Sequence, residues 1–166
     1  MDYKSRISYL REEISKSDID TVLITDKENI RYYSGFTGTF AFLFINLEKS
    51  IIITDSRYTI RASEECPEYE VYQLKSGDNW VDNISISLKS KIVGFEGNNI
   101  TVNMLEQFKG RINKQVEWKD FSTPITLGRV IKSEGEIKLI KSAINISDSA
   151  FNSVEKQIKA GITEKE

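Results

Sequence analysis

Short, mainly hydrophobic runs bounded by polar residues recur along the chain and predict a series of strands. Two of these runs, residues 40–47 and 51–54, are separated only by Glu48, Lys49 and Ser50, a length and polarity typical of a hairpin. Both are rich in β-branched and aromatic residues, which fit a buried strand. The predicted strands cover residues 21–25, 40–47, 51–54, 70–74, 91–95 and 115–121.

Helical periodicity occupies the stretches between these strands. Ile7, Leu10 and Ile14 fall on one face of a helix predicted over residues 3–16. Asp78 or Asn79 is positioned to cap a later helix that runs to residue 88. The alternation favours an α/β fold, with a mixed sheet of about six strands and flanking helices. Further helices are predicted at residues 58–66 and 101–112, with a short helix or turn at 26–33.

One long amphipathic helix is predicted over residues 133–160. Ser133 and Glu136 form a capping-box pattern at its start, and Gly161 is expected to end it. Such a hydrophobic stripe predicts packing against another surface rather than a free coiled coil. The stripe consists of Ile137, Ile144, Phe151 and Ile158 at seven-residue intervals, with Ile140 and Val154 between them.

A second capping-box pattern, Thr163 and Glu166, stands at the end of the sequence. It would begin another helix, so we expect the sequence to be a piece of a longer protein. A frayed polar tail is the alternative interpretation.

Composition indicates an ordinary globular domain and narrows its partners. With 39% hydrophobic and 29% charged residues, the 166-residue chain can bury a substantial core. A net charge of -2 and a pI near 5.4 provide no general attraction to nucleic acid or to an anionic membrane. The hydrophobic runs fall well short of the roughly 20 residues that a membrane-spanning helix needs. We therefore expect a cytoplasmic protein that binds neither nucleic acid nor membranes.

The complete absence of histidine limits the possible chemistry more than any motif does. It excludes Ser-His and Cys-His nucleophile pairs and most zinc sites. A single cysteine, Cys66, excludes an internal disulfide and lacks a histidine to activate it. Without histidine, carboxylates are the remaining side chains that could act as a general base or bind a metal ion. We expect no catalytic residue and no metal ligand within this sequence.

Candidate functional residues lie on both sides of the predicted hairpin. Gly35 and Gly38 bracket Phe36, which predicts an aromatic ring on a flexible loop, exposed and available to a neighbouring subunit. Arg57 and Tyr58 directly follow the second hairpin strand. The candidates for contact with substrate at an active-site entrance, or with a partner, are Phe36, Thr37, Gly38, Thr39, Arg57 and Tyr58.

Structural roles are predicted for the other notable residues of this region. Asn29 and Tyr32 are expected to cap a turn and pack against the hairpin, with contact to a partner or substrate as the alternative. Gly35 is expected to permit a turn. Asp55 is expected to form an ion pair with Arg57. A position at the mouth of an active site is the alternative for this pair.

Two other classes of function stay open at this point. Asp26 and Asp55 both follow predicted strands, so they could hold two magnesium ions in a nuclease-like site. Alternatively, the chain is a stand-alone binding or scaffold domain. Magnesium titration tests the first alternative, and the sequence downstream of Glu166 tests the second.

Two segments resemble the creatinase/prolidase-like N-terminal domain that precedes the metallopeptidase domain of Xaa-Pro aminopeptidases and prolidases. The segment after Gly35 lacks the arginine expected in the creatine-hydrolysing branch, which disfavours creatinase activity. The resemblance is carried by DTVLITDKENIRYYSGFTGTFAFLFINLEKSIIITDSRYTIRASEE and by RVIKSEGEIKLIKSAINISDSAF.

This resemblance implies a division of labour within a longer enzyme. Residues 1–128 would form the N-terminal domain, and residues 129–166 a linker helix and the start of a missing catalytic domain. The parent enzyme would use a pair of divalent metal ions, manganese or cobalt, to cleave proline-containing peptides, with ligands beyond Glu166. The resemblance also implies a homodimer or higher homo-oligomer, and this chain would be inactive alone.

Overall fold

A computed structural model describes residues 2–77, 79–87, 90–111 and 116–163, with the side chains of 85–87 not described. Contacts divide the chain into two units, Asp2–Val130 and a second unit that begins at Ile131. The first unit comprises β1 (Thr21–Ile24), β2 (Phe42–Asn46), β3 (Ser50–Thr54), β4 (Glu70–Gln73), β5 (Ile92–Phe95), β6 (Glu117–Asp120), α1 (Tyr3–Ser15), α2 (Lys27–Ser34), α3 (Thr59–Glu65), α4 (Trp80–Ser87), α5 (Val102–Arg111) and α6 (Ser122–Leu127).

The six strands form one mixed sheet in the order β4-β3-β2-β1-β5-β6. β2 is antiparallel to β1 and to β3, whereas the other neighbours pair in parallel. Five strands therefore end at one side of the sheet, which we call the carboxyl edge, and β2 begins there. The predicted fold class is confirmed, including the hairpin of β2 and β3.

Both faces of the sheet are covered, which explains why the central strands are continuously hydrophobic. Alternate residues of each strand enter opposite cores. Val22 and Ile24 face the core that also contains residues of α1, α2 and α6, while Leu23 faces the other core. In that second core Trp80 stacks on Phe42, with 5.4 Å between ring centroids.

Helix α6 was not predicted from the sequence. Pro124 lies in its first turn, where a missing N–H costs little, so proline there does not break the helix. Ile125 of α6 is fully buried. One tyrosine of α1 and one of α2 donate hydrogen bonds to carbonyl groups of α6. Tyr9 donates to Pro124 O at 3.2 Å and Tyr33 donates to Ile125 O at 2.7 Å.

The second unit contains α7 (Glu134–Glu155), which is shorter than the predicted helix. The capping box of Ser133 and Glu136 is present, and the helix continues unbroken through Asp148. Its predicted end at residue 160 was wrong. After α7 the hydrogen bonding tightens to a three-residue spacing, with Gln157 N bonded to Val154 O at 2.8 Å. The helix has therefore ended before Gly161, whose φ is 97°.

Some sequence predictions fall on residues outside the described part of the chain. These are the cap at Asp78, the ends of helices at Leu88 and Ile112, the strand residue Gln115, and Glu166 of the second capping box.

We expect Tyr33→Phe to lower the free energy of unfolding by about 1–3 kcal/mol, because it leaves the buried carbonyl of Ile125 without its donor. Tyr58→Phe is the matched control, since its hydroxyl bonds to exposed Thr39 and water can replace it. Urea unfolding of both variants checks this. Equal losses for the two variants would contradict the expectation.

Candidate functional site

Two loops meet at the carboxyl edge of the sheet, and we call residues 36–39 and 55–58 together the loop cluster. Thr54, the last residue of β3, donates its hydroxyl to Phe40 O at 2.6 Å and ties the two loops at their base. The hydroxyls of Thr39 and Tyr58 lie 2.8 Å apart. The structure therefore brings together the six residues predicted for the entrance.

Phe36 does not occupy the exposed position that we predicted. Its side chain is only 2% exposed and belongs to the core shared with α1 and α2. Its ring meets Tyr58 edge to face, with 5.9 Å between centroids. The prediction was wrong because the ring folds beneath the loop rather than outward, so Phe36 supports Tyr58 from below.

The two glycines of the loop permit this arrangement for different reasons. Gly35 ends α2 with a φ of 84°, as predicted for a turn. Gly38 is not among the glycines with positive φ. Instead, a Cβ at Gly38 would lie 2.3 Å from Cζ of Phe36, so the missing side chain provides the space for the buried ring.

The exposed threonine of this loop is held by a carboxylate of α3. Thr37 donates its backbone N–H and its hydroxyl to the two oxygens of Glu65, each at 2.7 Å. Sequence reasoning missed Glu65, because it lies 28 positions away and no local motif marks it. The contact fixes the loop above the buried ring.

Arg57 is an exposed cation held in one orientation. Its Nη2 lies 2.7 Å from Asp55, and its Nε–H and backbone N–H also contact that carboxylate. The predicted ion pair is confirmed, and the hydrogen bond from Arg57 lowers the pKa of Asp55. The arginine side chain is still 68% exposed.

Two arginines lie close to the ring of Tyr58. Cζ of Arg57 is 5.3 Å from the ring centroid and that of Arg61 is 5.7 Å away. The hydrogen bond with Thr39, helped by both cations, lowers the pKa of Tyr58. The loop cluster thus contains one cation, Arg57, paired with one carboxylate, Asp55, and Arg61 and Glu65 lie next to it. The exposed guanidinium of Arg57 suits a carboxylate or another anion.

A buried network beside the loop cluster gives Asn29 its role. Glu96, only 1% exposed, accepts the backbone N–H of Thr25 at 2.6 Å and of Asp26 at 2.7 Å. Asn29 donates to Glu96 at 2.6 Å and accepts from Arg129 at 2.7 Å. The side chain of Asn29 therefore links Glu96 to Arg129, and the cap of α2 comes from Asp26 instead.

Two residues of this network were missed by sequence reasoning. Glu96 follows β5 directly and Arg129 follows α6, so both lie where the chain leaves an element. An acid directly after a buried strand was the available signal for Glu96. The hydroxyl of Tyr32 bonds to Gly128 O, directly before Arg129.

The geometry gives no support to a two-metal site. Asp26 caps α2 by accepting from Asn29 N at 2.9 Å, and Asp55 is occupied by Arg57. Within the described residues, no group of three or more His, Cys, Asp or Glu side chains could hold a metal ion. Cys66 is buried, which raises the pKa of its thiol to about 11.

Comparison with known proteins identifies the family. The model of the Creatinase/Prolidase N-terminal domain matches residues 6–131. The chain belongs to this family. The resemblance to this family, predicted from residues 20–65 and 129–151, is confirmed. The loop cluster and the buried network of Glu96 both lie within the matched region of this creatinase/prolidase N-terminal domain.

Several relatives are described as peptidases. An uncharacterized peptidase of Bacillus subtilis, YqhT, is 31% identical over 96% of this chain. The structure of an Xaa-Pro dipeptidase from Bacillus anthracis aligns with a TM-score of 0.91 at 30% identity over 98% of this chain. An X-Pro aminopeptidase from Thermotoga maritima aligns with a TM-score of 0.80 at 32% identity over 93% of it.

This creatinase/prolidase N-terminal domain spans 45% of the length of each of those three proteins. The described helices include none that is long and apolar enough to cross a membrane.

We expect Gly38→Ala to destabilise the domain by about 1–3 kcal/mol, because the new Cβ would displace the ring of Phe36. Gly110→Ala is the control. It lies in α5 with no atom within 4 Å of the added Cβ, and alanine should raise stability there by up to about 1 kcal/mol. Urea unfolding measures both changes. A neutral Gly38→Ala would refute the role assigned to this glycine.

Proposed function

We propose that this domain is the N-terminal, non-catalytic part of a metal-dependent peptidase that cleaves Xaa-Pro bonds as an aminopeptidase or a prolidase. The family match over residues 6–131 carries the proposal. Relatives of the same family, described above, are an Xaa-Pro dipeptidase and an X-Pro aminopeptidase. In this proposal the domain assists a catalytic domain rather than performing the reaction.

The chemistry of the chain supports a non-catalytic role. It contains no histidine, and its described residues form no cluster that fits a divalent metal pair. The manganese or cobalt pair expected for such an enzyme would therefore be held by a separate catalytic domain. No catalytic step is assigned to residues of this chain, and its expected cytoplasmic location stays a prediction.

The loop cluster is the surface that we assign to substrate entry. Arg57 is exposed and already oriented by Asp55, and the hydroxyls of Thr39 and Tyr58, which bond to each other, belong to the same cluster. The hydroxyl of Thr37 already donates to Glu65. A peptide presents a carboxylate and backbone carbonyl groups, which match these donors. We propose that this surface lines the active-site entrance of a neighbouring subunit in a homodimer or larger homo-oligomer.

The exposed hydrophobic stripe of α7 supports the proposal that a further domain of the same polypeptide packs against this helix. Ile140 is 46% exposed, Ile144 51% and Phe151 65%. A row of large exposed hydrophobic side chains on one helix is typical of a surface that packs against another domain. We propose that α7 is the linker helix and that this stripe packs against the catalytic domain.

We expect the chain alone to release no N-terminal residue from an Xaa-Pro peptide, with manganese or with cobalt, because it lacks a metal-binding cluster in its described residues. Amino-acid release against a metal-only blank measures this, with the Bacillus anthracis enzyme as the positive control. Turnover above the blank that is lost in Arg57→Ala would overturn the non-catalytic assignment.

In the full-length protein that carries this domain, we expect Arg57→Ala to raise KM for Xaa-Pro peptides by about fivefold, as one exposed charge-assisted bond is lost. kcat and bound metal should not change. Steady-state kinetics on two- to five-residue substrates test this, with Arg111→Ala on α5 as the control. A variant with unchanged KM and a lowered melting temperature would show that Arg57 is only structural.

A further inference from the structure

Strand β4 lies at an edge of the sheet, and one side of its backbone is open. β4 pairs in parallel with β3, and Leu74 N, just beyond the strand, donates to Thr54 O at 2.8 Å. Backbone groups alternate in direction along a strand, so those of Val71 and Gln73 point away from β3. Within the described part of the chain, these outward N–H and C=O groups have no hydrogen-bond partner.

An open groove of about 530 Å³ runs along this edge. A groove with an unpaired strand as one wall is suited to an extended strand, which would add to the sheet through backbone hydrogen bonds. The residues that line it are Val71, Tyr72, Gln73, Lys75, Ser76 and Gly77.

The other edge of the sheet differs from this one. Glu117, Lys119 and Asp120 occupy three of the four positions of β6, and Lys119 forms ion pairs with Asp18 and with Glu117. Charged side chains, lysine above all, protect an edge strand from pairing with another chain. In β4 the central residues are Val71 and Tyr72 instead, so this edge lacks that protection.

The charges around β4 favour a second copy of the same strand in antiparallel orientation. Glu68 and Glu70 stand at the start of the strand, and Lys75 follows its end. Antiparallel pairing places the acidic start of one copy beside the basic end of the other, whereas parallel pairing would place like charges together. We propose that β4 pairs with β4 of a second copy across a twofold axis and forms one continuous sheet.

The free backbone groups of Val71 and Gln73 pair with one another in one register. With Tyr72 on the twofold axis, Val71 of each copy faces Gln73 of the other, and each such pair exchanges both backbone hydrogen bonds. A register centred on Val71 would instead require the N–H of Tyr69, which already donates to Cys66 O at 3.0 Å. In the Tyr72-centred register, Lys75 falls opposite Tyr69, between Glu68 and Glu70 of the second copy.

This inference rests on the self-association in the proposed function and assigns it to a surface. Sedimentation equilibrium of the full 166-residue chain over a range of concentrations tests it. Gln73→Pro removes one outward N–H without removing a bond to β3, and Gln73→Ala keeps that N–H. We expect the proline variant to weaken the dimer at least about tenfold and the alanine variant to change it little.

A charge exchange provides an independent test that does not alter the backbone. We expect Lys75→Glu to weaken the dimer at low salt, and the double variant Glu68→Lys with Lys75→Glu to recover it. If neither Gln73→Pro nor the charge exchange changes the dimer dissociation constant, self-association stands but pairing through β4 is overturned. A wild-type chain that stays monomeric at all concentrations would overturn the self-association itself, leaving the peptidase assignment untouched.

Discussion

A buried carboxylate holds the carboxyl edge of this domain together. Glu96 follows β5, yet its oxygens accept from the backbone after β1 and from Asn29 of α2. Asn29 in turn accepts from Arg129, where the first unit ends. Without this carboxylate, two backbone N–H groups and a buried amide would lose their acceptor. The position of the loop cluster depends on the same edge, because its loops start from α2 and β3.

Around that edge, the domain separates stability from recognition. Phe36, Gly38 and Glu65 hold the loop from below and from the side, while Arg57 and the hydroxyl groups face solvent. Buried Phe36 and Gly38 and half-buried Glu65 thus fix the geometry, and the exposed guanidinium of Arg57 is available to a ligand. This arrangement fits the entrance role that we propose for the loop cluster.

Local patterns in the sequence were sufficient for most of the fold. The β2–β3 hairpin, the capping box of Ser133 and the ion pair of Asp55 each depend on residues close together in the chain, and each was predicted correctly. Phe36 was predicted wrongly, because the direction of its ring depends on the space left by Gly38 and on a core built from distant elements. Glu65 and Glu96 were missed for the same reason, since their partners are 28 and about 70 positions away.

The pairing of Arg57 with Asp55 has a consequence for conformational entropy. An exposed ion pair adds little to stability, but this one uses the Nε–H and one Nη2–H of the guanidinium and leaves its three other N–H donors available. A free arginine side chain has about 2 kcal/mol of rotamer entropy to lose when it is immobilised. Here folding has already restricted those rotamers, so an anion that arrives at the loop cluster meets a cation that is ordered in advance.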